Sequence, residues 1–185
     1  GNDDDRADDI AQMVFEAYYS SVNGRPNTRA GYHRINLLPT TCHVYFGSVI
    51  GALPDGRKSG VPLSEGISPV QGADRNGPTA VVKSAAKIDH IRTGGTLLNQ
   101  KFIPQILADD AGITKLAHLV RAYFKMDGHH IQFNVVDRQT LEKAKQYPDD
   151  YRDLIVRVAG YSDYFVDLTE ELQDEIIHRT AHALV

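Results

Sequence analysis

Apolar positions at Ile10, Met13, Val14, Ala17 and Tyr18 recur at i, i+3, i+4, i+7 and i+8. That period predicts a helix with this face buried. Asp3, Asp4 and Asp5 stand at its start, where the positive end of the helix dipole favours acids. Gly24 and Pro26 in NGRPN break it. From Ile35 to Gly95 the pattern loses its helical period and turn residues dominate. Within this stretch CHVYFGSV (Cys42 to Val49) predicts a strand from its β-branched and aromatic content, and Thr79 to Val82 a second, short one. Long irregular stretches of this kind are commonly functional or wrap larger structure.

The second half is more regular. Ile113, Leu116, Ala117, Val120, Tyr123 and Phe124 predict a helix capped by Asp109 or Asp110 and ended at Gly128. Ile131 to Val136 (IQFNVV) alternates apolar and polar, which predicts a strand with one buried face. Asp137 is placed to cap a short helix that Pro148 stops. Ile155 to Ala159 reads as another strand. A last helix is expected near Asp167, because Asp167 and Glu170 have capping-box spacing, with Leu172, Ile176 and Ile177 on its apolar side. Alternating helices and strands imply an α/β fold. A composition shift near Pro78 divides the chain into residues 1–78 and 79–185.

Composition narrows the function. Of 185 residues 42% are hydrophobic and 24% charged, which suits a folded core rather than a disordered chain. Twenty Lys and Arg against 24 Asp and Glu leave a net charge of −4, so no basic field recruits nucleic acid or anionic membrane. One cysteine, Cys42, excludes an internal disulfide framework and a cysteine-rich zinc site. No apolar run approaches the roughly 18–20 residues of a membrane span. The chain begins with Gly1 rather than methionine. That start suits a trimmed chain, a processed product or an excerpt alike.

Among motifs the segment IVRVAGYSDYF (Ile155 to Phe165) stands out. A glycine that closes a buried strand usually marks a bend or a close backbone approach. Here its neighbours say more, because the segment resembles the radical-bearing loop of glycyl radical enzymes. HVYFGSVIGALPDGRKSG, PLSEGISPVQGADRNGPTAV, TGGTLLNQKF, GHHIQFNVVD and LQDEIIHRT resemble further blocks of the same superfamily, in the same order. They are more similar to the dehydratase, choline-lyase and isethionate-lyase branch than to pyruvate formate-lyase. Asp163 departs from the small residue of the formate-lyase signature.

The resemblance implies the C-terminal part of a ten-stranded α/β barrel, with residues 1–78 the end of the barrel domain and 79–185 the glycyl radical domain. It implies that Gly160 carries the radical, supported by Arg157, Val158, Ala159, Tyr161 and Ser162. A glycine suits that role chemically. A Cα radical is shared between an electron-donating amide nitrogen and an electron-withdrawing carbonyl, and a side chain would twist that plane. No bound cofactor or metal is expected; the radical is protein-based and installed by a radical S-adenosylmethionine activating enzyme. It then passes to a cysteine thiol upstream, and the resulting thiyl cleaves a C–O, C–N or C–S bond of a small polar substrate. A Cys-x-Glu loop of that type is absent from these residues, and Cys42 is expected to be a small buried hydrophobe. The resemblance further implies an anaerobic, cytoplasmic homodimer. Two alternatives stand beside the lyase: an autonomous spare-part protein that restores an oxygen-damaged enzyme, and formate acetyltransferase-like activity.

Other candidates have plainer readings. His178 and His182 are four apart, a spacing that suits a metal pair on a helix, but a helix C-terminus also favours such residues. His129 and His130 are adjacent and would point to opposite faces of a strand. Asp89 and His90 could form an acid–base pair but have no adjacent nucleophile. GALPDGRKSG lacks the residue order of a phosphate loop, and Asp3 to Asp9 lack that of an EF-hand.

Overall fold

A computed structural model describes residues 1–183 as a mixed α/β structure. Helix α1 (Asp5–Val22) is followed by α2 (Cys42–Val49) and α3 (Gly77–Ala86). Strand β1 (Leu98–Phe102), helix α4 (Asp110–Lys125), strand β2 (Ile131–Val135) and helix α5 (Arg138–Gln146) come next. The chain closes with strands β3 (Ile155–Arg157) and β4 (Ser162–Tyr164), helix α6 (Glu170–His178) and the short strand β5 (Ala181–His182).

The sheet that organises the second half is parallel, with β1 between β2 and β5. Its register sorts side chains by parity. Leu98 pairs with Ile131, Gln100 with Phe133 and Phe102 with Val135. On this side Leu98, Phe102, Ile131 and Phe133 pack with α3 and α4 through Val81, Val82, Leu119 and Tyr123. Asn99 pairs with Gln132 and Lys101 with Asn134, so the opposite face is polar, yet all four side chains are buried. The antiparallel β3–β4 hairpin lies over that polar face. Behind it Val156, Val158, Phe165, Leu141, Leu172 and Ile176 form a second core with α5 and α6.

Three sequence expectations need correction. Cys42 to Val49 is a helix, and so is the region of Thr79 to Val82, which lies inside α3. β-Branched content alone misreads both, because packing overrides the small differences in propensity. Helix α3 starts with Pro78 in its first turn, where the missing amide proton costs nothing. The last helix starts three residues later than Asp167, after Thr169. Asp167 instead closes a single 3₁₀ turn, Phe165–Asp167.

Helix α1 exists as expected, but its predicted face is not buried. Ile10, Met13, Val14 and Tyr18 are 56–70% exposed, and only Asp8 and Phe15 are buried along the helix. Such an apolar stripe on a soluble helix signals an uncovered contact surface. No helix of the described residues is long and apolar enough to cross a membrane.

Candidate functional site

The tip of the β3–β4 hairpin is Val158 to Tyr161, closed by the Val158 N–H donating to the Tyr161 carbonyl at 2.9 Å. Val158 and Ala159 are buried, Gly160 is exposed at the tip, and Tyr161 is half-buried. Gly160 has φ +83°, a conformation that costs an L-residue of order 1–2 kcal/mol. A Cβ there would lie 3.4 Å from Leu97 Cδ1, so the backbone angle rather than crowding demands glycine. Burial and the Asp163 charge both push the Tyr161 hydroxyl above its ordinary range.

Three buried carboxamides hold the hairpin from below. Asn134 pairs with both backbone groups of Arg157, accepting from its N–H at 2.8 Å and donating to its carbonyl at 2.8 Å. Gln132 Oε1 accepts from the Arg157 guanidinium at 2.9 and 3.2 Å and from the Gly160 N–H at 3.3 Å. Asn99 Nδ2 and Gln132 Nε2 both donate to the Val158 carbonyl, at 3.1 and 3.3 Å. Arg157 reaches across the hairpin to the Ser162 hydroxyl at 3.1 Å. The five residues flanking Gly160 in the sequence expectation therefore share one hairpin, and Arg157 and Ser162 contact each other.

A buried charged layer lies behind the carboxamides. Glu65 accepts from Asn99 and from the Ser68 hydroxyl, the latter at 2.9 Å. Burial raises the Glu65 carboxyl above its usual range, although Arg179 and Asn99 oppose this. Gly66, with φ +56°, lets this segment run against the Leu97 carbonyl; a side chain there would collide with it. Glu175 forms a paired contact with Arg179, at 2.7 to 3.1 Å, and Arg179 also donates to the Arg157 carbonyl at 3.3 Å. Burial would raise Glu175, but His43 at 3.7 Å and Arg179 outweigh it and leave the carboxyl at about 2. His43 is too distant for a hydrogen bond, so Arg179 dominates. Lys101, brought down to about 8 by burial and by Arg179, donates to the Ile176 and Ile177 carbonyls near the end of α6. Glu65, Lys101, Glu175 and Arg179 line a cavity of about 30 Å³. That is room for a water or two, far below a substrate pocket.

The remaining candidates separate from this site. Cys42 is exposed in the first turn of α2, not buried as expected. His178 ends α6 and contacts the Asp174 carbonyl, whereas His182 lies in β5 beside Asp74 at 3.3 Å, so the pair does not share a helix. His129 is exposed and His130 half-buried. His90 is buried between Thr96 and the Ala85 carbonyl, while Asp89 is exposed and accepts from the Arg92 N–H. Arg57 fills the GALPDGRKSG turn, binding the Gly47, Ile50, Gly51 and Val61 carbonyls. Asp3, Asp5 and Asp8 converge, but the Lys87 ammonium sits 2.7–3.1 Å from each.

Residues 63–166 match the family model described as Glycine radical, and residues 1–47 match the one described as Pyruvate formate lyase-like. The chain belongs to the glycine radical family. Trans-4-hydroxy-L-proline dehydratase of Clostridioides difficile is 61% identical over 97% of this chain and 23% of its own length. Isethionate sulfite-lyase of Bilophila wadsworthia is 44% identical over 98% of this chain and 22% of its own. The crystal structure of the C. difficile hydroxyproline dehydratase with substrate bound superposes with TM-score 0.95 at 60% identity, covering 99% of this chain and 23% of that one. The chain thus spans under a quarter of the length of the relatives it matches. The family match includes the hairpin, Asn99, Gln132 and Asn134.

Sequence reasoning named the strand and the Gly160 loop but missed the return strand β4 and Glu65, Asn99, Gln132, Asn134 and Arg179. For two of them the alternation that predicts one buried face pointed the wrong way. In IQFNVV the polar positions, Gln132 and Asn134, are more deeply buried than Ile131 and Phe133. A strand with a polar alternate face inside a family block is a candidate support for whatever lies over it.

Proposed function

We propose that this chain is the radical-storing portion of a glycyl radical dehydratase or lyase, with Gly160 as the radical site and Arg157, Val158, Ala159, Tyr161 and Ser162 as its supporting loop. The observation that carries this is Gly160 itself: a positive-φ glycine at a hairpin tip, gripped from below by buried carboxamides. On this reading an activating enzyme of the radical S-adenosylmethionine class removes one Gly160 Cα hydrogen atom. The flanking amide nitrogen and carbonyl share the spin. The Gly160 radical then takes a hydrogen atom from a cysteine thiol on polypeptide outside residues 1–185, regenerating the glycine and leaving a thiyl. That thiyl takes a hydrogen atom from the substrate, and the substrate radical expels its leaving group. The product radical takes the hydrogen back from the thiol, and the thiyl so reformed takes the Gly160 hydrogen to restore the stored radical.

The substrate class follows the relatives. The 61% identity to a hydroxyproline dehydratase, against 44% to an isethionate lyase, favours C–O cleavage of a small hydroxylated substrate such as trans-4-hydroxy-L-proline. C–S cleavage is the second reading. Asp163, where the formate-lyase signature has a small residue, disfavours formate acetyltransferase-like activity. Residues 1–78 would end the ten-stranded barrel and 79–185 would be the radical domain, which holds all five strands described here. The exposed α1 face would pack on the rest of that barrel. A homodimer working in an anaerobic cytoplasm completes the proposal. The spare-part alternative separates cleanly in one assay. The intact protein carrying this sequence is activated anaerobically and offered trans-4-hydroxy-L-proline or isethionate. Turnover by that protein alone supports the lyase; activity seen only on mixing with a damaged, longer relative supports the spare part.

A further inference from the structure

We propose that Glu65, Asn99 and Gln132 form a positioning relay for the radical at Gly160, one that fixes the amide plane of the tip and polarises the Gly160 N–H. The proposal rests on the assignment of Gly160 above and goes beyond it by naming what controls the radical.

The relay is visible as an unbroken, co-directed series. The Gly160 N–H donates to Gln132 Oε1, Gln132 Nε2 donates to Asn99 Oδ1, and Asn99 Nδ2 donates to Glu65 Oε2. All three relay side chains are buried. Aligned hydrogen bonds polarise one another, and a chain that ends on a carboxylate makes its first acceptor stronger. The same two carboxamides also grip the Val158 carbonyl, at 3.1 and 3.3 Å. Peptide groups on the N-terminal side of Gly160 are thus held at two points, one an acceptor and one a donor. Asn99 and Gln132 meet because β1 and β2 are parallel and pair them directly. Ser68 and Gly66 hold Glu65 at the far end, Ser68 Oγ also accepting the Asn99 N–H at 2.9 Å.

The chemistry gives this arrangement a purpose. Delocalisation of a Cα radical requires the amide nitrogen lone pair to stay parallel to the singly occupied orbital. A hydrogen bond from the N–H to a strong acceptor raises the electron density on that nitrogen and improves its donation. Rotation of the Val158–Gly160 segment would reduce the overlap. The relay opposes both losses without touching the reacting carbon, so its members are positioning residues.

The test is electron paramagnetic resonance on the intact protein after anaerobic activation. Gln132→Met keeps the side chain's length and removes both ends of the bridge. Its anaerobic spin half-life should fall at least about tenfold, since the Gly160 N–H and Asn99 Oδ1 both lose a partner, with altered α-proton and amide-nitrogen hyperfine couplings. Glu65→Gln keeps the shape of the relay and removes its charge. It should shorten the half-life about threefold, since charge-assisted bonds are roughly twice as strong as neutral ones. Gln132→Glu retains the acceptor for the Gly160 N–H but loses the donor to Asn99 Oδ1 and the Val158 carbonyl, so it should restore only a minor part of the lifetime lost in Gln132→Met, and full recovery would overturn the relay beyond Gln132. Should Gln132→Met fail to accumulate folded protein, the Glu65→Gln couplings decide. Unchanged couplings and lifetime in Glu65→Gln, or in a folded Gln132→Met, overturn the relay while leaving Gly160 in place. A doublet that survives Gly160→Ala overturns the assignment of Gly160 and the relay with it.

Discussion

Replacing Arg179 by methionine should loosen the Gly160 hairpin from behind, although Arg179 lies 19 residues beyond Gly160. The Glu175 side chain is wholly buried and that of Arg179 is 9% exposed. Their three hydrogen bonds, at 3.0, 3.1 and 2.7 Å, form a paired guanidinium–carboxylate contact. A fourth ties the guanidinium to the Arg157 carbonyl at the base of the hairpin. Removing one partner of a buried ion pair costs about 3–5 kcal/mol, because the other charge is left without compensation. Glu175 would keep one hydrogen bond from Gln71, at 2.8 Å, so the lower end applies, about 3 kcal/mol. Every 1.4 kcal/mol is tenfold, so local opening should become roughly a hundredfold more frequent. Hydrogen exchange followed by mass spectrometry on peptides spanning residues 154–165 of the intact protein reads that opening directly. Glu175→Met combined with Arg179→Met should recover most of the loss, since no buried charge is then stranded. Exchange in Arg179→Met within threefold of the unaltered protein would refute the reasoning, as would a double variant whose effect equals the sum of the two single ones.

Glu175 also sets an acid limit on stability: its carboxyl sits at about 2 when folded against 4.5 for the free side chain, so the unfolded chain binds more protons between these values. The stabilisation is present above pH 4.5 and lost as pH falls toward 2. A denaturation midpoint followed from pH 5 to pH 2 should drop steeply, and Glu175→Gln should flatten that slope. Residues 1–185 expressed alone should self-associate through the apolar face of α1, and Met13→Lys with Val14→Glu should raise the monomer fraction in sedimentation. A monomeric unaltered chain would show that this face needs no cover.

The hairpin tip proposed as the site was legible as a local device. Gly160 follows a strand, needs a positive φ and sits among recognisable neighbours, all of which are properties of a short segment. Helices α4 and α5 were legible for the same reason, since Asp109 and Asp137 cap them through their own side chains. What supports the hairpin is not local. Asn99 and Gln132 are 33 residues apart and meet only through strand pairing, and Glu65 is a further 34 residues from Asn99. The helix α2 was misread because its eight residues carry strand-like side chains. Its Gly47 packs directly against the backbone at Val61 and Pro62, a tertiary contact that no local period reveals. The exposed face of α1 follows the helical period faithfully; periodicity tells which residues share a face but not whether a partner covers it.

The most direct measurement is the spectrum of the activated protein with and without isotope at one carbon. The intact protein, produced with natural-abundance glycine or with glycine deuterated at Cα and incubated anaerobically with its activating enzyme, is examined by electron paramagnetic resonance. A doublet split by a single α-proton, collapsing on deuteration and absent from Gly160→Ala, is the expected result. A doublet of equal intensity in Gly160→Ala, or one that deuterated glycine leaves unchanged, would contradict the account.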